Sequence, residues 1–213
     1  MLSLTRGLTG FAKMMPDGTW RRSYAGESGM YSVDGKTMLV VGLGGIGKQV
    51  AMRAKGLGMR VLATRNSSRQ GPAYVDYVGL SDELLTLARE ADVVVNALPL
   101  TDATAGLFDR EFFATVKPGS FFINVGRGGT VVTDELLAAL ENGRLAGAGL
   151  DVTDPEPLPA NHRLWQTPNV IITPHVAGFG GSRRWHAMLV RENLRRYLAG
   201  EALLNVVDPE RGY

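Results

Sequence analysis

From Thr37 onward, short apolar runs alternate with segments whose apolar residues recur at helical spacing. The runs predict strands at 37–41, 60–64, 92–97, 120–124, 147–151 and 170–173. The periodic segments predict helices at 46–57, 81–90, 109–115, 133–142 and 182–199. Asp82-Glu83 and Asp134-Glu135 place acid in first turns, behind Ser81 and Thr133 as N-caps. Gly143 and Gly200 stand where helices should stop. Such alternation predicts an α/β fold, a doubly wound parallel sheet covered by helices on both faces. The first 36 residues break the rhythm. Met1 to Leu8 reads as the last turns of a helix, followed by a Gly-rich arm through Trp20-Arg21-Arg22 to Gly35. An arm that cannot pack on its own chain packs on a partner subunit; a frayed terminus is the other reading.

One turn in this pattern carries chemistry. The strand ending at Val41 runs into Gly42-Leu43-Gly44-Gly45-Ile46-Gly47, and a helix follows. In that setting Gly42 permits the tight turn, and Gly44 lacks the side chain that would hold a pyrophosphate off the backbone. Gly47 lets helix and strand pack closely. Gly45 and Ile46 open the helix, whose free N–H groups and positive dipole end suit a phosphate. This reads as a Rossmann-type dinucleotide-binding domain, against the plainer possibility of a structural turn. In such folds an acid about 20 residues on holds the ribose 2′-hydroxyl of NAD. Here strand 60–64 ends in Arg65-Asn66-Ser67-Ser68-Arg69, with no carboxylate. Arg65, with Arg69 or the serine hydroxyls, would instead meet a 2′-phosphate. NADP(H) is therefore the preferred cofactor and NAD(H) possible, the alternative being a solvated loop arginine.

Composition narrows the class. The 213 residues are 45% hydrophobic and 21% charged, with a net charge of +2, as in ordinary globular proteins. The basic residues are scattered, which argues against a nucleic-acid partner. No apolar run is long enough to span a bilayer. With no cysteine, disulfide and thiol chemistry are excluded, and a cytoplasmic location is compatible. His162, His175 and His186 lack metal-ligand spacing, so no metal site is expected. His162 and His186 read as structural, and Trp165 as core.

Three further segments each end a predicted strand: Ile123-Asn124-Val125-Gly126-Arg127-Gly128-Gly129, Gly149 to Pro157, and Ile172 to Gly178. Open α/β sheets bind ligands at the carboxyl ends of their strands. Arg127, Glu156 and His175 are thus expected to converge on the cofactor crevice. Each also has a structural reading, as an ion-pair partner, a solvated loop residue or a strand cap.

With these segments in place, the chain resembles the D-isomer-specific 2-hydroxyacid dehydrogenases. Gly42 to Gly47, Ala97-Leu98-Pro99-Leu100-Thr101, Asn124 to Gly129, Asp151 to Pro159 and Thr173 to Gly178 match the family's signatures in order. The arginine at the strand end looks most like the NADPH-using glyoxylate/hydroxypyruvate reductase branch. The resemblance implies hydride transfer between a nicotinamide cofactor and a small 2-hydroxy or 2-oxo acid. It makes His175 the general acid, Glu156 its orienting partner and Arg127 the substrate-binding guanidinium. Asp151 would meet the carboxamide end of the cofactor. Asn96, Ala97, Leu98, Pro99, Thr101, Val125, Gly126 and Gly178 would line its groove, and a homodimer would be the assembly. It divides the chain into an N-terminal helix end and arm (1–36), a dinucleotide-binding domain (37–181), and a C-terminal crossing helix with its tail (182–213). Most of the family's N-terminal substrate domain is expected to be missing. A short, weak enzyme or a dinucleotide-binding and dimerisation module is therefore the competing expectation.

Overall fold

The computed structural model describes residues 1–179 and 183–208. It forms two units, residues 1–174 and 175–213, each taken by itself below. The first unit opens with three short helices, α1 (Leu2–Thr5), α2 (Leu8–Met14) and α3 (Tyr24–Glu27). Then come β1 (Thr37–Val41), α4 (Gly45–Gly56), β2 (Arg60–Thr64), β3 (Tyr77–Gly79), α5 (Leu84–Ala88) and β4 (Val93–Asn96). The unit continues with α6 (Arg110–Thr115), β5 (Ser120–Asn124), α7 (Thr133–Glu141), β6 (Leu145–Leu150) and β7 (Val170–Ile172). The second unit carries α8 (Arg183–Leu198). Residue 182, where this last helix was expected to begin, lies outside the described residues.

All seven strands run parallel in one sheet, ordered β3-β2-β1-β4-β5-β6-β7. The order reverses between β1 and β4, which is the switch point of a doubly wound sheet. Strand β1 explains why its sequence is a continuous apolar run. Leu39 and Val41 face a cluster with Phe108, Phe112 and Phe122, while Met38 and Val40 face another with Ala51, Ala54 and Met59. A strand covered on both faces has no solvent side to mark with polar residues.

The amino ends of the strands are closed by carboxylates. Asp92, just before β4, accepts from the Thr37 N–H at 2.8 Å and from Lys117 Nζ at 2.7 Å. Asp76, just before β3, accepts from the Val61 N–H at 2.8 Å and from Lys55 Nζ at 2.7 Å.

Several expectations need correction. Ser81 and Thr133 are not caps. The turn at 81–83 is tied instead by Glu83, whose carboxylate accepts from the Leu80 N–H at 2.8 Å. Thr133 Oγ1 donates to the Asp154 carbonyl at 2.7 Å, pinning the start of α7 to the loop after β6. Trp165 is 50% exposed and donates from Nε1 to the Pro159 carbonyl, so it is not core. The two ends of the N-terminal arm pack on their own chain. Leu4 and Val33 are buried beside Met38 and Phe121, and the Tyr31 N–H donates to the Thr5 carbonyl at 3.1 Å. Between them, α2 and α3 bury no residue, and Trp20 is 96% exposed. Strand β3 was not predicted.

Candidate functional site

The crevice at the switch point is built from the glycine turn and the loop after β4. Gly42 has φ 95°, and a Cβ there would lie 2.9 Å from Leu98 Cδ2 and 3.0 Å from the Ala97 carbonyl. A Cβ on Gly47 would fall 2.0 Å from the Gly42 carbonyl oxygen. Gly42 is therefore demanded both by its left-handed backbone and by close approach, and Gly47 by close approach of backbone alone. Gly44 and Gly45 differ: a Cβ on either meets nothing within 4 Å. That space lies before α4, a helix with no side-chain cap and no acid in its first turn. Its first N–H groups lack intrahelical acceptors and carry the positive end of the dipole. Open space before such donors fits a pyrophosphate, and Ile46 stands 56% exposed beside it. The loop continues with Pro99, whose carbonyl accepts from Thr104 Oγ1 at 2.7 Å; the same hydroxyl accepts from the Thr101 N–H.

At the end of β2, Arg65 is half-buried, with Asn66 and Ser67 exposed beyond it. Its Nη1 donates to the Gln70 carbonyl at 3.0 Å, and its N–H donates to the Gly79 carbonyl. Arg69 is engaged differently. It pairs with Glu83 at 2.5 Å and donates to the Tyr77 hydroxyl at 2.9 Å. The sequence of the turn holds no carboxylate, but the fold brings Glu83 to it from beyond β3. The Tyr77 hydroxyl, the Leu80 N–H and Arg69 together hold the Glu83 carboxyl below the usual carboxylate range.

A line of polar links crosses the carboxyl ends of β4 to β7. Asn96 and Asn124 sit opposite each other in register. Asn96 Nδ2 donates to Asn124 Oδ1 at 2.9 Å and to Thr130 Oγ1 at 2.7 Å, and its Oδ1 accepts from the Leu98 N–H. Asn124 Nδ2 and Thr130 Oγ1 both donate to the Arg127 carbonyl, at 3.2 and 2.7 Å. The Asp151 N–H donates to the Asn124 carbonyl, and Thr173 Oγ1 donates to Asp151 Oδ1 at 2.5 Å. Asn96, Asn124 and Thr130 are at most 1% exposed, so they shape the crevice from below and do not line it. Val125 is half-buried and its N–H donates to the Asn96 carbonyl. Gly126 lies so close to the loop after β4 that a Cβ would come within 2.6 Å of the Leu98 carbonyl.

Arg127 is exposed at the end of β5, its Nη1 folded onto the Gly126 carbonyl at 2.9 Å. Its loop abuts the one carrying Glu156: a Cβ on Gly128 would fall 1.8 Å from the Thr153 carbonyl oxygen. Glu156 is exposed there, between two cis X-Pro bonds at Pro155 and Pro157. His175 and Gly178 belong to the second unit, both exposed, with His175 at φ 52°. His162 caps the turn at 163–165, its Nδ1 accepting from the Leu164 N–H at 3.2 Å. Among the described residues no group of three His, Cys, Asp or Glu could hold a metal ion, and no helix is long and apolar enough to cross a membrane. Two grooves of about 500 and 480 Å³ flank α7, but none of these residues lines them.

The description "D-isomer specific 2-hydroxyacid dehydrogenase, NAD binding domain" matches residues 1–177. The chain belongs to the D-isomer specific 2-hydroxyacid dehydrogenase family. Its sequence is 40% identical to a glyoxylate reductase of Pyrococcus horikoshii, over 84% of this chain and 54% of that protein. It is 37% identical to a glyoxylate/hydroxypyruvate reductase B of Klebsiella pneumoniae, over 99% of this chain and 65% of the relative. The fold matches a D-isomer specific 2-hydroxyacid dehydrogenase of Xanthobacter autotrophicus Py2, solved with NADPH and MES. That match has a TM-score of 0.86 at 34% identity and covers 100% of this chain and 85% of the other. The chain thus spans between half and two thirds of these two curated relatives of the dehydrogenase family.

Proposed function

We propose that this chain serves the reduction of a small 2-oxo acid of the glyoxylate or hydroxypyruvate type, with NADPH favoured over NADH. The observation that carries the reading is Arg127. Its carbonyl is fixed by two buried side chains while its guanidinium stands exposed at the carboxyl end of the sheet, engaged by no ion pair among the described residues. A guanidinium fork suits the carboxylate and carbonyl oxygens of a 2-oxo acid.

With its pyrophosphate held at the glycine turn, the cofactor would supply a hydride from its reduced nicotinamide ring. Arg127 holds the substrate, and His175 donates a proton to the carbonyl oxygen, taking it back in the reverse direction. Glu156 orients the imidazole and favours its protonated form; a free histidine, with pKa near ~6.5, is mostly neutral at pH 7. Asp151 meets the carboxamide end of the cofactor. Arg65, with Asn66 and Ser67, meets the 2′-phosphate. The assembly is a homodimer in the cytoplasm, and the exposed Leu8, Met15 and Trp20 of the arm belong to its interface. Light scattering on the chain checks the dimer.

The deciding experiment measures NADPH oxidation against a panel of 2-oxo acids, with direct NADPH binding on the same sample. His175→Ala should lower turnover about 10²–10⁴-fold and leave NADPH binding intact. Arg65→Asp should move preference toward NADH by roughly ten- to a hundredfold, the worth of one charge-assisted hydrogen bond. Binding with no oxidation of any 2-oxo acid would reduce the chain to a dinucleotide-binding module.

A further inference from the structure

The turn after β2 holds two arginines in unlike situations. Arg65 meets a neutral carbonyl, while Arg69 meets a carboxylate. That carboxylate is firmly placed. Glu83 takes the Leu80 N–H at 2.8 Å and the Tyr77 hydroxyl at 2.5 Å in addition to the guanidinium. Tyr77 bridges the pair, accepting from Arg69 Nη1 while donating to Glu83 Oε1. Leu80 directly follows Gly79, whose carbonyl accepts from the Arg65 N–H at 3.1 Å. Glu83 therefore stands beside the strand end where a cofactor's 2′-substituent would lie.

We propose that Glu83 sets cofactor preference by holding Arg69 away from a 2′-phosphate, leaving Arg65 as the cation that meets it. This rests on the reading that the cofactor's ribose lies at this strand end. A guanidinium already bidden by a carboxylate and a phenol gains little by turning to a phosphate, since it must break bonds of equal kind. The chain thus keeps a moderate preference for NADP(H) and retains use of NAD(H). Released from Glu83, Arg69 would become a second phosphate ligand, reaching back across the short Ser67-Ser68 stretch.

The test is calorimetric titration of the full chain with 2′,5′-ADP and with 5′-AMP, which need no turnover. Glu83→Gln keeps the size of the side chain and an oxygen for the Leu80 N–H, and removes the charge. It should tighten 2′,5′-ADP about tenfold and leave 5′-AMP within twofold. Arg69→Ala alone should change neither ligand by more than twofold. In the double variant the gain should vanish. Three results would overturn the proposal: no gain in Glu83→Gln, a gain that survives in the double variant, or a large loss of 2′,5′-ADP affinity in Arg69→Ala alone. The second would leave simple charge removal; the third would mean that Arg69 already reaches the phosphate. A wild-type chain indifferent to the 2′-phosphate, with Arg65→Asp silent, refutes the cofactor assignment instead. The response of Glu83→Gln then still decides whether Glu83 restrains Arg69. Thermal melts confirm that all variants are folded.

Discussion

At the amino end of the sheet, Asp92 and Asp76 turn back to accept N–H groups of neighbouring strands, each with a lysine on its other side. At the carboxyl end, α4 starts without a cap, Gly44 and Gly45 face open space, and Arg127 projects outward. One end satisfies its own polar groups and the other offers them. The contrast explains how a single sheet can be both stable and receptive. Donors left for a ligand are affordable only above a layer whose own bonds are complete, and the buried Asn96, Asn124 and Thr130 are that layer.

Breaking that layer should have the largest effect. Asn96→Leu would leave the Leu98 N–H without its acceptor and remove one donor each from Asn124 Oδ1 and Thr130 Oγ1, which keep the Gly126 N–H and the Arg127 carbonyl as partners. The unpaired donor costs about 1–3 kcal/mol and each lost bond about 1 kcal/mol, so a loss of roughly 3 kcal/mol or more is expected in urea unfolding. A loss below about 1 kcal/mol would mean that water replaces the amide and that the layer is not dry.

The next comparison lies within the glycine turn. Gly47→Ala forces a Cβ to within 2.0 Å of the Gly42 carbonyl oxygen, and overpacking of this kind costs about 1–3 kcal/mol. Gly44→Ala meets no protein atom within 4 Å. It should leave the melting temperature unchanged while weakening NADPH binding about ten- to a hundredfold, because the methyl occupies the pyrophosphate's place. Equal melting temperatures for the two variants would contradict the division of labour between these glycines.

How much of this was legible beforehand follows the same physics. Strand β1 was placed residue for residue because burial on both faces leaves an unbroken apolar run. Strand β3 was missed, being three residues, Tyr77-Val78-Gly79, with no alternation and a glycine at its end. The glycine turn was legible because sterics act between near neighbours in sequence. Asn96 was not: a polar residue at a strand end reads as groove lining, and only the register with Asn124 reveals it as support. Glu83 was hidden for the same reason, since it reaches Arg69 through the pairing of β2 with β3. Ser81 and Thr133 looked like caps because cap preference is local, whereas Thr133 is claimed by Asp154 from a distant loop. The expected convergence of Arg127, Glu156 and His175 rests on motif order, and the kinetic variants are its test.

The smallest predicted effect sharpens the description of the closed end. Partial burial pushes the Asp92 carboxyl up, but the bonds from Lys117 and the Thr37 N–H outweigh it and hold it below its ordinary value. A carboxyl whose folded value is depressed contributes stability that is present above its unfolded value, near ~4. That contribution is lost as pH falls through the folded value. Asp92→Asn keeps an oxygen for Thr37 and removes the charge that Lys117 meets. It should therefore cost about 1 kcal/mol at pH 7, the typical net worth of one such bond. The gap to wild type should begin to close as pH falls below ~4 and vanish at lower pH, once the native aspartate, held below its ordinary value, is neutral as well. A gap that stays constant from pH 7 to pH 2 would show that shape, and not charge, makes Asp92 useful. The closed end would then be held by backbone geometry alone.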